Sequence, residues 1–455
     1  VLYLVHHSYP PRTITGATTS WTTIAPPFTG DRTFASTGNY PSVVFFFSGR
    51  LGFSGTDNEP TAMFLSQSPL ASAGTTRFTS FDFMVGATVA SDDAIYLLEA
   101  DQSKVLWAIG SQRLVAGTRR SIWMDTGQGV TPAYFDMAIT SYTGASEPQA
   151  VMSENLTLYV GRGGKSLHAI YWDTTSESFQ DIDISQDAEH FLNSPIIDMK
   201  VQNFPEPTIW LVRTDGLLVS CSLNLQTGMV AWARHPMGGS AVVESIAMSY
   251  GTTQDVLWLS VLRGTTRTME YLIPIDVETT AQEDFHYVDC GLSLTPASAT
   301  VSGLSHLEGV SVSAWGDGSI MPAKTVASGA VTYDVSVAKI HVGYAIESEM
   351  ETLRPEIPAN GSSQGKQRAY RSAKLRLYRS MGGSVSASTS TSPTTLLFWI
   401  GGTYVWGARL DLYTDTKKVD LAGASDPDVT LVIEHSEPAP FNLLALMTDI
   451  AILEV

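Results

Sequence analysis

The chain has 455 residues, 44% of them hydrophobic, enough to bury a large core. Only 16% are charged, and 27 Lys and Arg stand against 45 Asp and Glu for a net charge of −18. That balance excludes a nucleic-acid binder working through a basic face, and two cysteines exclude a disulfide scaffold or a multi-Cys metal site.

The sequence opens without a Met inside an apolar stretch, Val1–Val5, so a fragment lacking its N-terminal part is expected. No apolar run reaches the roughly 18 residues of a membrane-spanning helix. Short β-branched and aromatic runs, broken by Gly, Pro, Asn and Asp, then recur. They are Leu2–Val5, Val43–Phe47 with Leu51–Phe53, Ile95–Leu98, Val105–Ile109, Leu156–Val160, Ile209–Val212 and Val256–Val261. Their recurrence predicts an all-β chain of multi-stranded β-propeller blades, each about 40–50 residues long.

One unit reads almost in full. Thr208–Arg213 is a strand, Asp215-Gly216 a turn, Leu217–Leu223 the return, Gln226-Thr227-Gly228 a second turn and Met229–Ala233 a third strand. Asp-Gly and Thr-Gly supply the positive φ that tight hairpins need. The ten Trp are expected in packing between blades. Stacking buries both faces of each sheet and protects its edges. The one helix-friendly stretch is Ala345–Leu353, ended by Pro355.

Composition shifts near Cys290. Residues 1–290 are therefore read as propeller blades and 291–455 as a C-terminal β-rich barrel or sandwich, with flexible loops at 358–365 and 384–395. The run Phe441–Leu453 either joins that domain or returns to close the propeller. Between the two loops, Lys366–Arg379 carries six basic residues in fourteen. In a strand, Lys366, Arg368, Lys374 and Arg376 share one face with Tyr370 and Tyr378, opposite Ala369, Ala373, Leu375 and Leu377. This reads as a half-buried strand with a solvated basic face, or as a contact with an acidic neighbouring subunit or a phosphate backbone.

Catalytic and cofactor motifs are missing. Gly161–Ser166 has the wrong spacing for a phosphate loop, since the required glycine position holds Tyr159, and it reads as a hairpin turn. There is no nucleophile elbow and no His-Glu-x-x-His, and the nine histidines are scattered. No catalytic, cofactor-binding or metal residue is assigned, and no cofactor is expected.

Several stretches, in order, carry a resemblance. They are Tyr40-Pro41-Ser42, Phe45–Phe47 with Arg50-Leu51, Phe53 and Gly55, Trp210 with Arg213 and Asp215-Gly216-Leu217, Ala231–Arg234, and Leu257-Trp258 with Val261, Arg263 and Glu270–Leu272. Tyr287–Leu292, Gly303–Gly309 and Ile433–Pro440 follow. With these, the chain resembles the tail nozzle (tail tubular protein B) family of short-tailed, T7-like bacteriophages, Cys290 standing where a serine-like residue is expected.

The resemblance implies a structural virion protein of the tail, present in the host cytoplasm during assembly. It implies a homohexameric ring beneath portal and adaptor, through which double-stranded genomic DNA is ejected without specific binding and to which tail fibres attach. It also implies that the chain performs no covalent chemistry. The competing readings are a propeller-based carbohydrate-binding adhesin, which would repeat aromatic and polar sets at one loop face, and a propeller enzyme, which would gather ionisable groups in a central channel.

Overall fold

The computed structural model describes residues 2–453 apart from 18–19, 27, 70–76, 85–87, 99–102, 225–227, 273, 297, 357–364 and 397–408. Apart from four short 3-10 turns, the regular secondary structure of the described residues is all strand, and the chain divides into two compact units, residues 1–235 with 242–272, and 236–241 with 273–455. The boundary expected at residue 290 lies inside the strand Asp289–Leu294 of the second unit.

The first unit contains five successive antiparallel meanders, the blades of a β-propeller. Blade 1 is Val43–Phe47, Arg50–Ser54, Ala62–Leu65 and Ile95–Leu98. Blade 2 is Val105–Gly110, Leu114–Thr118, Ile122–Asp125 and Met137–Ser141. Blade 3 is Val151–Ser153, Leu156–Val160, Leu167–Asp173 and Ser178–Asp183. Blade 4 is Ile196–Gln202, Thr208–Arg213, Leu218–Asn224 and Met229–His235. Blade 5 has three strands, Val242–Ser249, Val256–Arg263 and Thr266–Leu272. A three-stranded sheet, Leu2–His6, Tyr9–Ala17 and Ser20–Ile24, precedes them.

The strand period of two shows how the blades stack. Leu114 and Ala116 pack with Val43, Phe45 and Phe47 of blade 1, while Val115 between them packs with Tyr159 and Ile170 of blade 3. Leu158 and Val160 then face Met199, Ile209 and Leu211 of blade 4. Each central strand is thus apolar on both faces, which is why Leu114–Thr118 and Leu156–Val160 are buried throughout. Gly117 is required by this packing, because a Cβ there would sit 2.3 Å from the Trp107 indole. The other face of blade 1 is sealed by an aromatic cluster in which Phe28, Phe34 and Phe81 meet Phe53 edge-on or stacked, with centroids 5.0–5.6 Å apart.

Gly216 turns blade 4 with φ +80°, as the Asp-Gly reading requires, but the reading of this unit omitted the strand Ile196–Gln202. Core packing holds for Trp107, Trp123, Trp210 and Trp315, whereas Trp21, Trp172 and Trp258 are exposed. Trp399 and Trp406 lie outside the described residues.

The second unit holds a four-stranded sheet ordered Asp289–Leu294, Ile340–Tyr344, Ser311–Gly316 and Ser319–Thr325, with a small pair, Thr300–Ser302 and Ala330–Thr332, in the same apolar core. A sandwich follows. One sheet is Ser348–Glu351, Leu431–His435, Ser384–Ala387 and Thr394–Thr395, and the other is Tyr413–Asp420, Gln367–Ser380 and Asn442–Leu453. Val385, Leu431 and Ile433 of the first pack on Ala373, Leu375 and Leu377 of the second.

Three expectations change here. Ser384–Thr395 is not a loop throughout: its ends pair with each other, and Val385 and Ala387 are buried on the sandwich core. The strand Asn442–Leu453 pairs with Gln367–Ser380, so it does not return to the propeller. Ala345–Leu353 forms the edge strand Ser348–Glu351, because pairing with Leu431–His435 outweighs its helix propensity. Residues 358–364 of the other expected loop lie outside the described residues.

Candidate functional site

The four basic positions do not share a face. The pairing of Gln367–Ser380 with Asn442–Leu453 passes from Tyr370↔Ile450 to Ser372↔Asp449, leaving Arg371 as a bulge. The bulge reverses the alternation, so Arg368 and Tyr370 point inward together with Ala373, Leu375 and Leu377. Arg368 is fully buried, donates from Nη1 to the Pro427 carbonyl at 2.6 Å and exchanges backbone hydrogen bonds with Asp426. It anchors the segment that follows residue 420. Lys374 and Arg376 remain exposed, and Arg376 donates to Asp415 Oδ1 at 2.9 Å. Lys366 precedes the strand and is half-buried.

A polar pocket lies in the first unit, where blades 1 and 2 meet. The hairpin Gly110–Leu114 and the loop after Ile122–Asp125 form its walls, and Phe47, Phe135 and Val130 supply apolar lining. The cavity measures about 200 Å³. Arg113 Nη1 donates to Asp125 Oδ1 at 2.8 Å, and the other Asp125 oxygen accepts the Leu114 N–H at 3.2 Å. Gly127 has φ +74°, and a Cβ there would lie 1.8 Å from Arg113 Nη1. The glycine therefore lets the guanidinium lie against the loop. The loop is closed by the Thr126 N–H donating to the Asp136 carbonyl at 2.9 Å. Sequence reasoning missed this site; its one local signal is the polar, glycine-spaced run Asp125-Thr126-Gly127-Gln128-Gly129.

A second polar constellation sits on the face of blade 3 toward blade 2. Asp181 accepts from Tyr159 OH at 2.7 Å and from Thr143 Oγ1 at 2.8 Å, and its other oxygen lies 3.2 Å from His168 Nδ1. His168 Nε2 is 3.2 Å from Ser166 Oγ. Burial alone would push the Asp181 carboxyl up, but hydrogen bonds from His168, Ser141, Tyr159 and Thr143 hold it down at about 2. The Tyr159 ring stacks on His168 at 5.2 Å and packs on Trp107 of blade 2 at 5.7 Å. The network pins the junction of blades 2 and 3. Asp181→Asn is expected to lower stability by about 2–3 kcal/mol, and Tyr159→Phe by about 1, read from urea midpoints. The Gly161–Ser166 segment beside it is the hairpin turn its spacing implies, linking Leu156–Val160 to Leu167–Asp173.

Among the described residues no group of three or more His, Cys, Asp or Glu is placed to hold a metal ion, and no helix is long and apolar enough to cross a membrane.

No protein-family profile and no curated protein matches the chain. Among solved structures it is similar to the β-propeller domain of Myceliophteria thermophila Cps50 (Swd1), at 7% identity and TM-score 0.33 over 68% of this chain and 84% of that one. It is similar to an exo-β-1,3-galactanase from Phanerochaete chrysosporium at 9% identity and TM-score 0.27, over 96% of this chain and all of that one. A glycoside hydrolase family 43 arabinoxylan arabinofuranohydrolase from Bacillus subtilis gives 9% identity and TM-score 0.21, over 89% of this chain and 94% of that one. These findings correct the expectation that the chain performs no covalent chemistry: enzymes stand among the structures it is similar to, and a fold of this class is no ground for excluding catalysis.

Proposed function

We propose that the chain is a structural subunit of a short phage tail, a member of a six-copy nozzle ring through which genomic DNA is ejected and to which tail fibres attach. One observation carries the reading: the polar residues in the stretches that resemble the nozzle family clasp backbone and hold strands and turns. Arg50 is buried and donates to the carbonyls of Ser66, Asp93 and Ser91. Arg213 forks onto Asp215 and reaches the Phe191 carbonyl at 2.7 Å. Arg263 pairs bidentately with Glu270 across its hairpin at 2.8 and 2.9 Å. In the second unit, Glu308 accepts the N–H groups of Ser328 and Gly329 at 2.8 and 2.7 Å, and Glu437 accepts that of Gly383 at 3.1 Å. Residues that spend their polar groups on the chain itself in this way support the reading of a scaffold.

Two properties support the role. A net charge of −18 opposes phosphate contacts that would stall DNA in transit. Large apolar side chains stand exposed on strands, among them Trp21, Trp172, Met269 and Leu444, and offer surface for the heterologous contacts a closed ring needs. Native mass measurement of the protein mixed with the tail adaptor tests the reading. An assembly carrying six copies of the chain is expected; a chain that stays monomeric at micromolar concentration with adaptor present contradicts it.

A further inference from the structure

We propose that His286, His341 and Ser293 of the second unit bind a divalent transition-metal ion of the zinc class. The proposal rests on side-chain geometry and is independent of the nozzle reading.

The fold gathers the donors. Ser293, on the strand Asp289–Leu294, is the direct cross-strand partner of His341 on Ile340–Tyr344, so the two side chains leave the same sheet face. His286 stands in the segment between the turn Gln282–Asp284 and that strand. Its approach to the pair depends on Gly291, where a Cβ would lie 2.9 Å from His286 Nε2.

The spacing fits an ion. The Nδ1 atoms of His286 and His341 are 3.2 Å apart, and Ser293 Oγ lies 3.2 Å from the first and 2.7 Å from the second. Tetrahedral zinc, with Zn–N of about 2.0–2.1 Å, spaces two ligand nitrogens about 3.3 Å apart. The ring centroids are 5.2 Å apart, farther than the nitrogens, so the nitrogens lie on the facing edges of two rings crossed at 80°. A tilt of the half-buried His286 ring aims both lone pairs at one point.

The protonation pattern fits as well. His341 Nε2 is 3.0 Å from the Glu283 carbonyl, which can only accept, so Nε2 carries the proton and Nδ1 keeps its lone pair. Metal-ligating histidines make this same outer hydrogen bond. His286 Nε2 makes no hydrogen bond to a described residue and is free to hold the proton of its own ring. A cation between the two Nδ1 atoms then takes the place of the proton that must otherwise separate them.

Donor chemistry selects the ion. His341 is 2% exposed, but Ser293 is exposed and His286 half-buried, so the ion enters from the Ser293 side and water fills the remaining position. Two imidazoles and a hydroxyl suit zinc, cobalt or copper, whereas calcium and magnesium require mostly oxygen ligands. The adjacent carboxylates are engaged elsewhere, Asp284 by Lys339 and Glu283 by Arg409, so affinity is set by neutral donors and falls in the micromolar range.

Calorimetric titration of the intact, metal-stripped protein with Zn2+ tests the proposal, with Co2+ absorption reading the coordination and histidine 15N NMR the ligand atoms. One ion per chain is expected, with the visible bands of four-coordinate cobalt and shifts at Nδ1 of both rings. Mg2+ should not compete. Loss of an outer-shell partner alone costs about 10–100-fold, so His286→Asn should weaken binding by at least about tenfold. Ser293→Ala, at an exposed position, should weaken it by roughly threefold without lowering the melting temperature. His6→Ala with His7→Ala, which removes the exposed neighbouring pair near the start of the chain, should leave the site intact. Binding no tighter than millimolar, affinity indifferent to both His286→Asn and Ser293→Ala, or loss of binding with the His6 and His7 substitutions would overturn the assignment.

Discussion

Acidification from pH 7.5 to 5.0 is expected to lower the stability of both units, and of the second more than the first. Four histidines are held in the neutral form. Burial pulls His235 down to about 4, where its Nε2 is 2.8 Å from Ser220 Oγ and its ring lies 5.0 Å from Trp210. In the second unit, burial and then the charge of His341 pull His286 down to about 4. The two Nδ1 atoms are 3.2 Å apart and Ser293 Oγ is 2.7 Å from that of His341, so two protonated rings cannot coexist there. Burial lowers His341 as well, against a hydrogen bond to the Glu283 carbonyl, and it lowers His435, whose Nε2 is 3.0 Å from the Met381 carbonyl.

A histidine with a folded pKa below its unfolded value takes up its proton preferentially in the unfolded chain. Its contribution is complete above about pH 6.5 and is lost as pH falls toward 4. At pH 5, 1.5 pH units below 6.5, His235 and His286 each forfeit about 2 kcal/mol. For units of this size that is about 4–8 °C of melting temperature per residue. Calorimetry at the two pH values reads it, and His286→Asn should flatten the dependence of the second transition. Asp181 enters only below its ordinary range: its carboxyl is held down at about 2, so its contribution is lost as pH falls below about 3.8. The two windows are therefore separable.

Arg50→Met is expected to cost the first unit about 3–5 kcal/mol. Arg50 is 2% exposed, and its guanidinium reaches three carbonyls, Ser66 at 2.8 Å, Asp93 at 2.6 Å and Ser91 at 3.0 Å. These acceptors come from the segments after the third strand and before the fourth strand of blade 1, so one cation joins them. Removing it leaves buried carbonyls without donors, which costs more than the hydrogen bonds contribute. Lysine does not replace it, since one ammonium cannot reproduce the planar fork. A urea midpoint, with Arg50→Lys recovering less than half of the loss, checks the argument.

What the sequence revealed of this fold follows burial. Leu156–Val160 and Ile209–Val212 stand out because both faces of a central blade strand are covered, so the runs are apolar at every position but Thr157. Outer strands such as Ser178–Asp183 are half-exposed and carry no comparable pattern. The blade count was blurred for the same reason: the apolar run marked the second strand of blades 3, 4 and 5 but the first strand of blades 1 and 2. The serines of Ser384–Ala387 give it the composition of a loop, although its burial alternates with period two and Val385 is fully covered.

The candidate site was less legible. Strict alternation places Arg368 on the solvated face, but a β-bulge at Arg371 leaves no mark in residue types, and one inserted residue reverses every side chain beyond it. The pocket between blades 1 and 2 draws Phe47, Arg113 and the 125–136 loop from separate segments, so no local spacing encodes it. Only the glycines at 127 and 129, both with positive φ, mark an unusual turn there.

Cryo-electron microscopy of the protein assembled on its tail adaptor tests the central claim most directly. Class averages with six subunits around a lumen that admits duplex DNA, each showing stacked blades, are predicted. Single unassembled subunits, or a ring whose lumen is too narrow for a duplex, would contradict the account.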